Sequence, residues 1–422
     1  MTHARGGIDA DSSGHAARHA ADRVARHSYG KLVAFLAARS HDVAAAEDAL
    51  ADAFAAALAE WPRGGCPDHP EAWLLTVARR KLIDVARRRL TGEKAIEQWL
   101  QLADDTEAAN EMTVPDHRLA LMFACAHPAI EDAVHAPLML QAVLGLDAKR
   151  IASAFLTSPA AMSKRLVRAK EKLRAAGIPF RTPEPEELAE RLGGVLDAIY
   201  AAFNDGWSAP GGLEAARCDL VEEAIFLARL VAELAPREPE ALGLLTCLLH
   251  AHARRHARRD ADGEYVPLAA QDISRWDDAM IEEAEALLHR AIRIGAIGRY
   301  QLEAAVQSAH ADRRRCGRVD WHAVLQLYDG LYALTGSPVV AINRALALAE
   351  SSGPDAALAT LPEVTGDARL ATYQPYWAVR ANLLARIGAT LEAHAAYEIA
   401  IGLEGDDAVR RFLRRAQSKL EN

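Results

Sequence analysis

The sequence predicts an all-α protein: two small helical domains followed by a long helical-repeat domain. Three observations predict it. Alanine is abundant and aromatic residues are only 6 %, a composition that favours helix over sheet. Apolar residues recur at 3.6-residue spacing along nearly the whole chain, and no convincing alternating run is found. A Gly/Pro/Glu break near residue 180 divides a near-neutral part from an acidic one. At 422 residues the chain has room for about two to three domains. With 51 % hydrophobic and 25 % charged residues, it has the balance of a folded protein.

The elements follow in order. Residues 1–21 are rich in Gly, Ser, His and Asp with no apolar run, so a disordered tail is expected there and a secretory signal is not. Tyr29–Ala38, Val43–Trp61 and Pro70–Arg89 read as helices. The second is expected to stop at Trp61, because Pro62, Gly64, Gly65 and Pro67 follow. Residues 93–115, polar and acidic, read as a linker, and Asp116–Arg174 as a second helical unit. Gly177-Ile178-Pro179 and Thr182–Glu187 end one helix and start another, which places a domain boundary there. Beyond it, Tyr376–Leu403 fits a tetratricopeptide-like helix pair turning at Gly388, with Trp377, Ala381 and Leu384 facing Ala393, Tyr397 and Ala400. Asn343–Leu358, with Gly353, gives a weaker echo one repeat earlier. The remainder of 187–335 is helical without a clear phase.

No window approaches 18 consecutive apolar residues, which excludes a membrane span. The five cysteines lie far apart without a CxxC pair, so neither a disulfide framework nor a zinc ribbon is expected, and a reducing cytoplasm is. The net charge of -9 argues against nucleic acid until it is divided. Residues 1–176 hold 23 Lys+Arg and 22 Asp+Glu, whereas 177–422 hold 26 and 36.

Two helices concentrate the positive charge. In 147–174, a short helix from Asp147 to Phe155 turns at Leu156-Thr157-Ser158 into a second one. There Ser158 can cap and Pro159 sits at the first position, where a missing N–H costs nothing. Met162, Leu166, Ala169 and Leu173 form its core stripe. Ala160, Lys164, Val167, Arg168 and Glu171 lie opposite, suiting a major groove with Lys164 and Arg168 reaching phosphates or base edges. The segment carries a net +6. The helix Pro70–Arg89 sets an apolar stripe (Trp73, Leu74, Val77, Ala78, Leu82, Val85) beside Arg79, Arg80, Lys81, Arg87, Arg88 and Arg89, with Asp84 the only acid from residue 73 to 90. Such a face suits phosphates, and the Gly/Pro loop Arg63–His69 before it could wrap an unstacked base. The helix before that carries Glu47, Asp48 and Asp52 along with Leu50, Phe54 and Leu58, a surface for a protein partner. Amphipathic helices with merely solvated basic faces would give the same patterns one at a time.

Together these segments resemble an RNA polymerase sigma factor of the extracytoplasmic-function type. Ala46–Phe54 looks like the core-polymerase-binding helix, Trp73–Asp84 with Arg87-Arg88-Arg89 like the minus-10 helix, and 147–174 like the minus-35 domain. Longer words resemble a subgroup with a tetratricopeptide-like C-terminal extension: Phe123–Pro128, Tyr200–Trp207, Gln271–Trp276, Asp320-Trp321, Leu327–Asp329 and Ser337–Ala345. The chain departs from the pattern at Ala51-Asp52, where a Gln-acid pair is usual, and at His135 and Gln141, where arginines are. The resemblance implies region 2 over 22–92, region 4 over 116–176 and a regulatory repeat domain over 187–422. It implies core polymerase contacts by Glu47, Asp48, Leu50, Asp52 and Phe54. Minus-10 DNA contacts would come from Arg63, Trp73, Arg79, Arg80, Lys81, Asp84, Arg87 and Arg88. Minus-35 contacts would come from Ala160, Ser163, Lys164, Arg165, Val167 and Arg168. Expected partners are core RNA polymerase, promoter DNA, and a protein or intramolecular contact of the repeat domain, with no cofactor, metal or membrane.

Two other classes fit parts of the pattern: a helix-turn-helix regulator that never binds polymerase, and a repeat scaffold without DNA binding. An enzyme has little support. His250, His252 and His256 include an i, i+4 pair suited to zinc, but Arg254, Arg255, Arg258 and Arg259 surround it. A solvated basic helix end is the expectation there. No phosphate loop, carboxylate dyad or Ser/His/Asp arrangement occurs.

Overall fold

The computed structural model describes residues 6–89, 114–155, 157–207, 215–362 and 366–420. Among these the chain is helical throughout, with short 3-10 turns and a single isolated bridge, Arg259 to Tyr265. The all-α expectation holds. The chain divides into two compact units, Met1–Gly206 with Ala215–Leu227, and Trp207–Glu214 with Ala228–Asn422.

The first unit opens with α1 (Gly6–Ser40), α2 (Val43–Gly64) and α3 (Pro70–Arg89), which pack on one another. Helix α1 starts at Gly6, so residues 6–21 are helical where a disordered tail is expected; the alanines among them are strong helix formers, and Ala20, Ala21 and Val24 are buried. Asp42 caps α2 by accepting from the Ala45 N–H at 3.0 Å. Val43, Ala46, Ala49, Leu50, Ala53, Ala57 and Trp61 form its buried stripe. The helix continues one turn past Trp61, through Pro62, and closes where the Gly65 N–H donates to the Trp61 carbonyl at 2.9 Å with φ of 84°. The linker expected over 93–115 lies outside the described residues except for its last two.

Next come α4 (Arg118–Cys125), α5 (Asp132–Ala142), α6 (Ala148–Ala154) and α7 (Pro159–Ala175). Asp147 caps α6 and Ser158 caps α7, accepting from Ala161 N–H at 3.2 Å, with Pro159 in the first turn. Met162, Leu166, Ala169 and Leu173 are the buried residues of α7, the stripe read from the sequence.

Helix α8 (Pro185–Trp207), through Gly206, and α9 (Ala215–Leu234), through Leu227, belong to this unit as well. The boundary expected near 177–187 is therefore a loop inside a unit. Leu192, Val195, Leu196, Ile199, Ala202 and Phe203 are buried along α8. A Cβ on Gly194 would sit 3.1 Å from His135 Nδ1 on α5. Arg150 Nε donates to Asp205 Oδ2 at 2.6 Å, and Arg118 pairs with both Asp116 and Glu223. A Pro/Glu stretch ends a helix without saying what the next one packs against.

The second unit contains α10 (Pro239–Ala253), α11 (Asp278–Ile294), α12 (Arg299–Ala311), α13 (Arg313–Cys316), α14 (Trp321–Thr335), α15 (Pro338–Ser352), α16 (Pro354–Thr360), α17 (Gln374–Arg386), α18 (Thr390–Leu403) and α19 (Asp407–Ser418). Helices next to one another in sequence pack together along this array. The pair expected at Tyr376–Leu403 is α17 and α18, turning at Gly388 with φ of 80°. Ala381, Leu384, Ala393, Tyr397 and Ala400 share one core, with Trp377 against it. Gly353, at φ of 101°, separates α15 from α16 as its echo. The unphased stretch owes its irregularity to residues 254–277, a run of loops and 3-10 turns between α10 and α11. Part of that run straps across to α19: Arg259 pairs with Asp406, Glu264 with Arg411 at 2.6 Å and Arg415 at 2.8 Å, and the Tyr265 and Phe412 rings meet edge-on at 5.4 Å.

The histidine segment differs from expectation. His250 is 1 % and His252 8 % exposed, and His250 Nε2 lies 3.3 Å from Glu285 Oε1. These two lie at the interior end of α10, not a solvated helix end, because α11 and α12 cover it, whereas His256, beyond the helix, is exposed as expected.

Candidate nucleic-acid interface

On α7 the residues singled out for minus-35 contact all face outward. Ala160, Ser163, Lys164, Arg165, Val167 and Arg168 are exposed, and Val167, at 54 % exposure, is not a core residue. Ser158 caps the helix, and of the small residues that follow Ala160 is exposed and Ala161 half-buried.

On α3 the basic residues divide. Arg80, Lys81 and Arg87 are exposed, as is Arg63 at the end of α2. Lys81 Nζ lies 3.3 Å from Asp52 Oδ2, tying α3 to α2, and Arg87 pairs with Asp84 at 3.2 Å. Arg79 is instead 7 % exposed, with its guanidinium carbon 5.0 Å from the Phe35 ring centre. It packs α3 onto α1, because its place on the wheel follows Ala78 on the buried side. Trp73 is half-buried, its ring edge-on to Trp61 at 5.5 Å. The side chain of Arg88 lies outside the described residues.

On α2, Asp48 and Asp52 are exposed and Phe54 is half-buried. Leu50 is 0 % exposed and belongs to the core. Glu47 is turned into the unit, where one oxygen pairs with Lys170 Nζ of α7 and the other, Oε1, is buried without a hydrogen-bond partner. Burial raises the Glu47 carboxyl above its ordinary range, and Lys170 opposes that shift. Neither the burial of Glu47 nor its partner could be read from the sequence, since 123 positions separate the two. The acids on α8 and α9 that neutralise Arg150 and Arg118 were missed for the same reason.

The quoted C-terminal words resolve into structural devices. Asp272 caps a 3-10 turn by accepting from Ser274 N–H at 2.9 Å. Trp276 is 5 % exposed in a core with Ala253, Ala257, Ile281 and Ala311. Asp320 caps α14, Ser337 and Pro338 start α15, and Arg344 Nε donates to Asp329 Oδ1 at 2.5 Å. Among the described residues, no helix is long and apolar enough to cross a membrane.

Comparison with known proteins agrees with the N-terminal part of this picture. Residues 24–91, spanning α2 and α3 with the C-terminal part of α1, match sigma-70 region 2. Residues 191–292 match a family of unknown function, DUF6596. A protein of Rhizobium meliloti (strain 1021), uncharacterized protein R00370, is 42 % identical over 376 residues, covering 87 % of this chain and 88 % of the relative. The chain therefore belongs to the same family as that rhizobial protein, and its residues 24–91 are a sigma-70 region 2 domain.

Proposed function

We propose that the protein is a sigma factor of the extracytoplasmic-function type that binds core RNA polymerase and directs promoter-specific initiation. Region 2 would hold melted minus-10 DNA through Arg63, Trp73, Arg80, Lys81, Arg87 and Arg88, and α7 would hold duplex minus-35 DNA. Asp48, Asp52 and Phe54 present the polymerase-facing side of α2. The observation that carries this reading is the division of α7 between four buried apolar residues and an exposed face that holds all six minus-35 candidates, on a chain whose region 2 match lies upstream. The second unit, read as tetratricopeptide-like, holds most of the acidic part of the chain and serves contacts with protein.

In vitro transcription with purified core polymerase tests the reading directly. Lys164→Ala and Arg168→Ala are each expected to weaken minus-35 binding by about 1–3 kcal/mol and to relax the salt dependence. Arg80→Ala and Arg87→Ala should lower open-complex formation. Arg79→Ala should instead lower the melting temperature, since it removes packing under Phe35. Promoter-independent transcription, or duplex affinity indifferent to residues 164 and 168, overturns the proposal.

A further inference from the structure

A cavity of about 300 Å³ lies within the first unit, between α1, the start of α4, the turn from α5 to α6, and α9. That volume stands at the low end of the range for small-molecule sites. Ala25, Val143, Leu144, Leu146 and Leu220 form its apolar wall, with Tyr29 beside them. Two glycines hold the wall close. A Cβ on Gly30 would sit 1.8 Å from the Val143 carbonyl oxygen, and one on Gly145, at φ of 67°, would sit 2.9 Å from the Tyr29 ring. His27, Arg118, Arg150, Asp219 and Glu223 line the rest. Both guanidinium groups are already met, Arg118 by Asp116 and Glu223, and Arg150 by Asp205. Asp219 differs. Its side chain is 25 % exposed and its partner is His27 Nε2 at 3.8 Å, beyond hydrogen-bond reach. Among the described residues no hydrogen bond reaches its carboxylate. The C-terminal end of α5 borders the same space, and the carbonyls at such an end favour a cation.

We propose that this cavity binds a small organic ammonium ion, with its charge on Asp219 and its hydrocarbon body against Leu146, Leu220 and Tyr29. An anion would have to displace the carboxylates that already hold Arg118 and Arg150. A divalent metal ion needs several oxygen ligands, and the described residues contain no group of three carboxylate, His or Cys side chains placed to hold one. A neutral apolar molecule would cover Asp219 and leave it unpaired, and a shielded charge without a partner is costly. An ammonium ion answers both parts of the lining. It donates charge-assisted hydrogen bonds to the carboxylate, and the Tyr29 ring offers it an aromatic neighbour. None of these side chains is among those assigned above to polymerase or DNA, so the inference stands apart from the proposed function.

Titration calorimetry of the full-length chain with three probes of similar shape tests this: 2-phenylethylammonium, 2-phenylethanol and phenylacetate. The ammonium should bind at one site and raise the melting temperature. The alcohol and the carboxylate should bind about tenfold more weakly or not at all, as expected when a charge-assisted hydrogen bond is lost. Asp219→Asn should weaken the ammonium by about tenfold or more. Ala25→Leu, which fills part of the space, should weaken it too. Glu222→Gln changes an exposed carboxyl of α9 that does not line the cavity, and should leave binding as it is. Absence of ammonium binding overturns the proposal, as does equal binding of the alcohol or the carboxylate. So does ammonium binding undiminished in Asp219→Asn or Ala25→Leu, or weakened as much in Glu222→Gln. Should a variant fail to fold, the three probes on the native chain decide.

Discussion

At the scale of single residues, charge and burial decide what each side chain can do. His252 and His310 illustrate this in the second unit. Burial lowers both to about 4, helped at His252 by Arg255 and at His310 by Arg254 and Arg313. Their folded values lie below the unfolded value of about 6.5. Between those limits the unfolded chain takes up protons that the folded one refuses, so stability falls as pH drops from about 6.5 towards 4. Thermal melts across that window should show the decline, and the double variant His252→Asn/His310→Asn should flatten it; an unchanged slope rejects the assignment. The same contrast limits what a sequence reveals. The outward side of α7 was legible because period and cap fix a helix's orientation once its apolar stripe is known. Arg79 was not, because a basic residue at the edge of such a stripe can turn to either side, and only the position of the Phe35 ring selects the inward one.

Among the elements, caps and close approaches carry the specificity. Asp42, Asp147, Ser158, Asp277 and Asp320 each start a helix where a short polar side chain accepts from the first turn, and such starts are legible in sequence. Helix ends and helix neighbours are less so. Helix α2 runs through Pro62 because a proline near the C-terminal end breaks one hydrogen bond without forbidding the final turn. A packing contact without any sequence signal is Gly243 on α10, where an added Cβ would lie 2.6 Å from the Gln301 N on α12. Gly243→Ala is therefore expected to destabilise the second unit by about 1–3 kcal/mol, the usual range for overpacking. Chemical denaturation would check it, with Gly402→Ala, where nothing lies within 4 Å, as the neutral comparison.

For the whole molecule, the charge division near residue 176 marks a change of composition, and the boundary between compact units falls later, inside α9. Composition reports which surfaces meet solvent, whereas a unit boundary depends on which helices share a core. Helix α8 is acidic outside yet contributes eight buried residues to the first unit. A fragment ending at 186 would thus lose Asp205 and Glu223 and leave Arg150 and Arg118 without those partners. We expect residues 1–234, with α9 whole, to melt cooperatively, and residues 1–186 to melt at a lower temperature or to aggregate; equal melts would show that α8 and α9 are dispensable there. The strap from Arg259–Tyr265 to α19 has a further consequence. An array in which each helix leans on the next can nucleate anywhere and grow by short-range steps. Contacts such as Arg259–Asp406 and Glu264–Arg411 instead join positions 147 residues apart. The closure entropy of so long a loop is recovered only when the intervening helices are already stacked. The strap is therefore the last part of the array to form, and once formed it joins the fate of the final helix to that of the first.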